Sequence, residues 1–399
     1  MELSKLFELN DIAKKDASFY NKKRFIYKFF KTTQKERIFT CLIGPRGVGK
    51  TILLRQLTAE RSDSFYLSMD TVNNESLFDL IKILNERYKI NYFFIDEIHF
   101  LRKYDAELKK IFDFLKVNVV FTSSVSLSLY ESSYDLSRRV KIIKIYPFSF
   151  REFLYFKKDI FLSVLSLKDI FEDRYSEEYL KYEYFFEEYL KGGVFPFYLE
   201  NKDIIESLKN VCDKIIKKDI AFFANLKMEE IYEVEKIFNF MALSQVEDLN
   251  YSSLSKNLGI TKYKVIRYVD LLEKSFLVNK ILPYGTNVLK EPKILITLPY
   301  RLIYKNYLEC IGALREDFVV ESLKIAEYDL FYLKSKRGEK TPDFFVTENN
   351  ERFVIEVGGK GKGRSQFKNF SNYKKIMFYH GDWVNDKNKK PMFLLGYLK

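Results

Sequence analysis

The 399-residue chain holds only three cysteines and two histidines. Cys41, Cys212 and Cys310 lie far apart and form neither a disulfide framework nor a zinc-binding spacing. That scarcity fits a reducing compartment, so a cytoplasmic protein is expected. With His99 and His380 alone, metal centres needing three or more histidines are excluded, and a Ser-His-Asp triad is disfavoured. The start, Met1-Glu2-Leu3-Ser4-Lys5, lacks the apolar centre of a signal peptide. No apolar run approaches membrane-spanning length, so no membrane partner is expected. Internal repeats and low-complexity blocks are also missing.

What remains is a chain long enough for two to four domains, 47% hydrophobic and so able to bury a sizeable core. Aromatics reach 17%, which reads as compositional bias of the source genome. The formal charge of +12 favours an anionic partner, nucleic acid foremost, although a lysine-rich proteome gives the same sign.

One stretch organises the rest. Residues Gly44-Pro45-Arg46-Gly47-Val48-Gly49-Lys50-Thr51 match the phosphate-binding loop pattern. Glycines let successive backbone N–H groups curl around a phosphate chain without Cβ clashes. Lys50 can reach the β- and γ-phosphates of ATP, and the Thr51 hydroxyl can ligand Mg²⁺. The run Arg37 to Ile43 reads as a buried strand before the loop. Thr51 to Ala59 reads as a helix after it, with Ile52, Leu53 and Leu57 on one face. The alternative, a glycine-rich surface turn, fits that context poorly.

A second segment, Asn91-Tyr92-Phe93-Phe94-Ile95-Asp96-Glu97, is an apolar strand ending in two acids. Asp96 at such a strand end can hold Mg²⁺, and Glu97 can orient and deprotonate the attacking water. Further strands are predicted at Ser64–Asp70, Val117–Ser124 and Val140–Tyr146. Alternation with helices argues a five-stranded parallel sheet covered on both faces. Thr122 or Ser124 can sit near the γ-phosphate, or else cap a helix. Of Arg138 and Arg139, one can stabilise the transferring phosphoryl group, Arg139 being favoured. It can act within its own chain or in a neighbouring copy, so a homo-oligomer is among the expectations. A solvated basic pair is the alternative.

Taken with Thr122-Ser123-Ser124, Ser137-Arg138-Arg139-Val140 and Pro147-Phe148-Ser149-Phe150-Arg151-Glu152-Phe153-Leu154, these motifs resemble a widespread prokaryotic family of AAA+-like ATPases with a C-terminal domain of unknown function. The resemblance implies the strand order and the roles of Lys50, Asp96 and Glu97. It departs at Ser123, where the family has Gly.

Four domains are expected: an ATPase domain over 1–158, a helical lid or linker over 159–230, a winged helix-turn-helix over 231–289, and a small α/β domain over 290–399. In the third, a short helix, a turn at Gly259, a helix capped by Thr261 and a hairpin follow in order. Lys262, Lys264 and Arg267 would project from the second helix towards DNA, unless that helix serves as a protein contact. In the fourth, Thr341-Pro342-Asp343 and Ile355-Glu356-Val357-Gly358-Gly359-Lys360 resemble the PD-(D/E)xK restriction-endonuclease-like core. There Asp343 and Glu356 would hold Mg²⁺, with Glu321 as a further carboxylate. The expected Lys is replaced by Gly358, and Lys360 needs a bulge to reach the site. A retained scaffold without cleavage is the expectation, an active nuclease the alternative. The functional reading is thus a Mg²⁺-dependent ATPase coupled to DNA-binding and nuclease-like modules. An ATP-gated nuclease of a defence or mobile-element system, or a slow ATP-dependent DNA-binding switch, are the rivals.

Overall fold

The computed structural model describes residues 3–32, 38–71, 76–123, 136, 138–200, 203–246, 249–285, 291–333, 341–349, 351–358, 365–367, 370–381 and 388–399. The chain divides into two compact units, Met1–Tyr146 and Pro147–Lys399. No helix among the described residues is long and apolar enough to cross a membrane.

The first unit begins with helices α1 (Leu3–Ala17) and α2 (Tyr27–Thr32). Alternating elements follow: β1 (Phe39–Ile43), α3 (Lys50–Ala59), β2 (Ser64–Ser68), α4 (Leu77–Tyr88), β3 (Tyr92–Asp96), α5 (Tyr104–Phe114), β4 (Asn118–Ser123) and β5 (Val140–Lys144). All five strands are parallel, in the order β2-β3-β4-β1-β5. Strands covered on both faces read as continuous apolar runs. Cys41, Leu42 and Ile43 of β1 accordingly lose all contact with solvent. Each aliphatic side chain so buried contributes roughly 1.5–3 kcal/mol. The edge strand β5 instead carries exposed Lys141 and Lys144, which discourages pairing with a foreign strand. Helix α4 starts where the Ser76 hydroxyl accepts from the Asp79 N–H (3.3 Å).

The polar lead-in is bound to this sheet by specific contacts. Asn10 Oδ1 accepts from the Tyr66 N–H at 3.0 Å, and Gln56 Nε2 donates to the Tyr20 and Lys22 carbonyls at 2.8 and 3.0 Å.

The second unit opens with α6 (Phe150–Lys158), so residues 147–158 pack here. Phe150 meets Tyr189, Phe393 and Tyr397 edge-on, and Ser149 and Arg151 donate to the Lys399 carbonyl at 3.0 and 2.9 Å. Further helical segments follow among the described residues up to 224, including α7 (Leu167–Phe171) and α8 (Ile204–Lys214). Then come α9 (Met228–Leu243), α10 (Tyr251–Leu258), α11 (Lys262–Lys274) and an antiparallel pair, β6 (Val278–Ile281) with β7 (Lys293–Ile296). Gly259, at φ 67°, ends α10, and the Thr261 hydroxyl accepts from Lys264 N to start α11.

The last part is α12 (Tyr307–Ile325) with β8 (Asp329–Tyr332), β9 (Phe344–Glu348), β10 (Glu351–Gly358), β11 (Lys374–Tyr379) and β12 (Lys389–Pro391). These strands form a mixed sheet in the order β12-β11-β10-β9-β8, parallel among β10, β11 and β12 and antiparallel elsewhere.

Candidate functional site

In a parallel sheet the C-terminal strand ends share one edge, where ligands are bound. Here β1, β4 and β3 lie side by side, with Ile43 opposite Ser123 and Ile95 opposite Phe121. That register brings the Gly44–Thr51 loop, Thr122 and Asp96 to one place.

The loop is shaped by its glycines. A Cβ on Gly44 would lie 2.1 Å from the Ile145 carbonyl oxygen, so no larger residue fits. Gly47 and Gly49 have φ of 84° and 89°, open to glycine without strain. Lys50, nearly buried, folds over the loop and donates from Nζ to the Gly44 and Pro45 carbonyls at 2.7 and 2.9 Å.

Buried Asp96 is the hub. Its Oδ2 accepts from the Thr51 hydroxyl at 2.7 Å and from the Tyr66 hydroxyl at 2.9 Å. Its Oδ1 accepts from the Thr122 hydroxyl, whose oxygen in turn accepts from the Glu97 N–H at 2.8 Å. Burial and the Asp96 charge push the Tyr66 phenol well above its usual range, which keeps it a donor. Glu97 adopts left-handed backbone angles (φ 51°, ψ 49°), uncommon for a non-glycine residue. Its carboxylate lies 3.7 Å from Arg46 Nη1 and 3.3 Å from His99 Nδ1.

The oxygen-only donors Thr51 and Asp96, 2.7 Å apart beside the loop, fit Mg²⁺. That ion is usually held by one or two carboxylates and the substrate's phosphates. No cluster of three His, Cys, Asp or Glu residues is found among the described residues.

Several expected residues sit elsewhere. Arg139 precedes β5, at the opposite edge of the sheet from the loop, and its carbonyl accepts from Phe39 N at the start of β1. Its guanidinium forks onto Asp113 at 3.1 and 3.3 Å. It therefore does not serve the loop of its own chain. Ser124 lies outside the described residues.

The three cations of α11 are each matched by an acid: Lys262 by Glu291, Lys264 by Glu233 (2.8 Å) and Arg267 by Glu230 (3.1 Å). Glu230 and Glu233 lie on α9, which packs alongside. The expected bare basic face is thus a row of ion pairs.

Phe344 pairs with Ile355, which places Asp343 across from Glu356, and Asp343 Oδ2 accepts from the Val357 N–H at 2.8 Å. Glu321 does not join them. Its Oε2 accepts from Leu298 N at 2.9 Å, and its charged neighbours are Asp317 and Lys324. Full burial pushes its carboxyl up to about 8. Lys360 lies outside the described residues.

Sequence reasoning missed Arg24, which donates to the Val48 carbonyl of the loop at 2.5 Å and to the Tyr146 carbonyl at 2.9 Å. It also missed Tyr66, and the pairing of Arg46 with Glu97.

A family model for an AAA domain matches residues 36–154, and one for a domain of unknown function (DUF8612) matches residues 183–297. The chain is 34% identical to the uncharacterized protein MJ1637 of Methanocaldococcus jannaschii, across 92% of this chain and 87% of that protein. An uncharacterized protein of Haemophilus influenzae is 29% identical across 60% of this chain and 61% of its own length. Among solved structures, the RuvB Holliday junction branch migration motor of Thermotoga maritima is similar over 68% of this chain and 89% of that one, at 16% identity and a TM-score of 0.30.

Proposed function

This chain belongs to the family of the Methanocaldococcus jannaschii protein MJ1637 and carries an AAA domain; from that premise we propose that it binds ATP with Mg²⁺ and hydrolyses it. The strongest support is the hydrogen bond between Thr51 and Asp96, which joins the phosphate loop to the acidic strand end.

In this reading the loop N–H groups and Lys50 hold the β- and γ-phosphates, where a fixed cation offsets concentrated negative charge. Thr51 and Asp96 would hold Mg²⁺, which would neutralise charge on the phosphate oxygens. Thr122 fixes Asp96 and the Glu97 backbone together. Glu97 orients the attacking water and takes its proton. Arg24 positions the loop through the Val48 carbonyl.

Lys50→Ala is expected to weaken ATP binding by at least about tenfold, since a charged hydrogen-bond donor is lost. Calorimetry with ATP checks this, and undiminished affinity would refute the assignment.

Hydrolysis is read as driving a change that the second unit transmits, because γ-phosphate contacts order one arrangement and their loss releases it. The α9–α11 helices with the β6–β7 pair have the order of a winged helix. Each cation of α11 already has an acid, so this helix is read as an internal contact. Replacing Lys262, Lys264 and Arg267 together with Ala should shift the salt slope of any DNA binding by less than about one unit. A drop of two to three units, about one per lost phosphate contact, would restore the DNA-reading role.

A further inference from the structure

The second unit contains a cavity of about 260 Å³ formed by the first half of α12, the end of α9 and the end of β10. Its wall carries the cations Arg301, Lys305 and Arg315 and the acids Glu309 and Glu316. Most of these charges are already engaged. Arg301 binds Asp317, and Lys305 donates to the Leu243 carbonyl. Glu316 binds Lys293 at 2.6 Å, and Glu309 accepts from the Asn306 N–H at 3.4 Å.

Arg315 is different. It is half-buried, and no carboxylate pairs with it among the described residues. Among the described residues its hydrogen bonds are two long ones to His380, from Nε to Nδ1 and from Nη2 to the carbonyl oxygen, both 3.4 Å. A guanidinium offers five donors, so most remain available. Partial burial of a charge without a counter-charge is costly unless an anion joins it. His380 does not complicate this: burial and the Arg315 charge push its imidazole down to about 4, so it stays neutral around pH 7.

The space beside Arg315 is open. A Cβ added to Gly312, one turn earlier on the same helix, would meet nothing within 4 Å. The volume lies below the range of roughly 300–1,000 Å³ typical of pockets for drug-sized ligands. It suits a compact anion with part of the group that carries it. The planar guanidinium fork pairs with phosphate through two parallel N–H···O bonds, and the chain's formal charge of +12 favours phosphate-bearing partners.

We propose that this cavity binds the terminal phosphate of a nucleotide or of a nucleic-acid strand, with Arg315 as its anchor. The site is separate from the phosphate loop and does not depend on ATP hydrolysis.

The test uses the full chain carrying Lys50→Ala, which silences the loop. Binding is measured for a labelled single-stranded oligonucleotide with a 5′-phosphate and for the same strand with a 5′-hydroxyl. The phosphorylated strand should bind at least about tenfold tighter, the value of one charged hydrogen-bonded contact. Arg315→Ala should erase that preference. Competition by AMP assigns the site to nucleotides generally, whereas AMP failing to compete assigns it to strand ends. Gly312→Leu guards against misfolding, since it fills open space and improves helix propensity. It should also erase the preference while thermal unfolding stays unchanged or improves. Equal affinity for the two strands, no binding of either, or a preference that survives Arg315→Ala or Gly312→Leu overturns the proposal.

Discussion

Replacing Glu97 with Gln is expected to slow ATP hydrolysis by about 100- to 10,000-fold, the usual contribution of a positioned general base. ATP affinity should hold or rise. The amide keeps the size of the side chain, so the Glu97 N–H to Thr122 contact and the Asp96 hub survive. It cannot accept the water's proton. It also carries no charge to engage Arg46, which lies 3.7 Å away within the phosphate loop. Without that charge, the Glu97 position competes less with the phosphates for Arg46, which favours the bound state. Phosphate release under steady-state conditions measures the first effect and calorimetry the second. Normal turnover in Glu97→Gln would mean that another residue is the base. A parallel loss of binding would mean that Glu97 shapes the loop and does not act on water.

How much of this was legible in the chain depends on the kind of residue. The Gly44–Thr51 loop and the Asp96-Glu97 strand end could be read because their chemistry fixes residue types at short spacing. Strand alternation then placed them at one sheet edge, and the observed register joins Thr51 to Asp96. Tyr66 and Arg24 left no such trace. Tyr66 reaches an aspartate 30 positions away, and Arg24 reaches a carbonyl 122 positions away, from stretches without a motif. Arg139 does not reach the loop of its own chain because its position relative to β5 matters more than its charge. A residue before a parallel strand lies at the edge away from the loop. The cations of α11 looked bare because helical periodicity says which face a residue takes, not what packs against it. Glu230 and Glu233 arrive from a separate helix. Glu321 failed for the same reason: its helix position was foreseeable, its bond to Leu298 N was not.

Asp317→Ala is expected to destabilise the second unit by about 3–5 kcal/mol, the range for breaking one side of a buried ion pair. Arg301 and Asp317 are each only 1% exposed. The guanidinium binds the carboxylate through Nε and Nη2. Its Nη1 donates to the carbonyls of Met241, Ala242 and Ser244 at 3.1, 3.3 and 3.1 Å. Those carbonyls close the C-terminal end of α9, where backbone acceptors lack helical partners and a cation is favoured. Asp317 Oδ1 also accepts from the Ile296 N–H at 3.2 Å, so the pair ties α9, β7 and α12 together. Removing the carboxylate strands a buried charge and orphans that N–H. Arg301→Met strands the carboxylate instead and takes a donor from three carbonyls, of which Met241 O keeps the Ser244 N–H at 3.3 Å. The double substitution Arg301→Met with Asp317→Leu removes both charges, and buried pairs so replaced are often neutral in stability. Here recovery should be partial, because the Ala242 and Ser244 carbonyls and Ile296 N still lose the donor or acceptor that the pair gave them. Urea unfolding of the three variants, read as a double-mutant cycle, measures this. The double variant should be more stable than the sum of the single losses predicts, yet less stable than the parent. Strict additivity would show that the two side chains are not coupled. A double variant as stable as the parent would show that the α9 carbonyls find other donors.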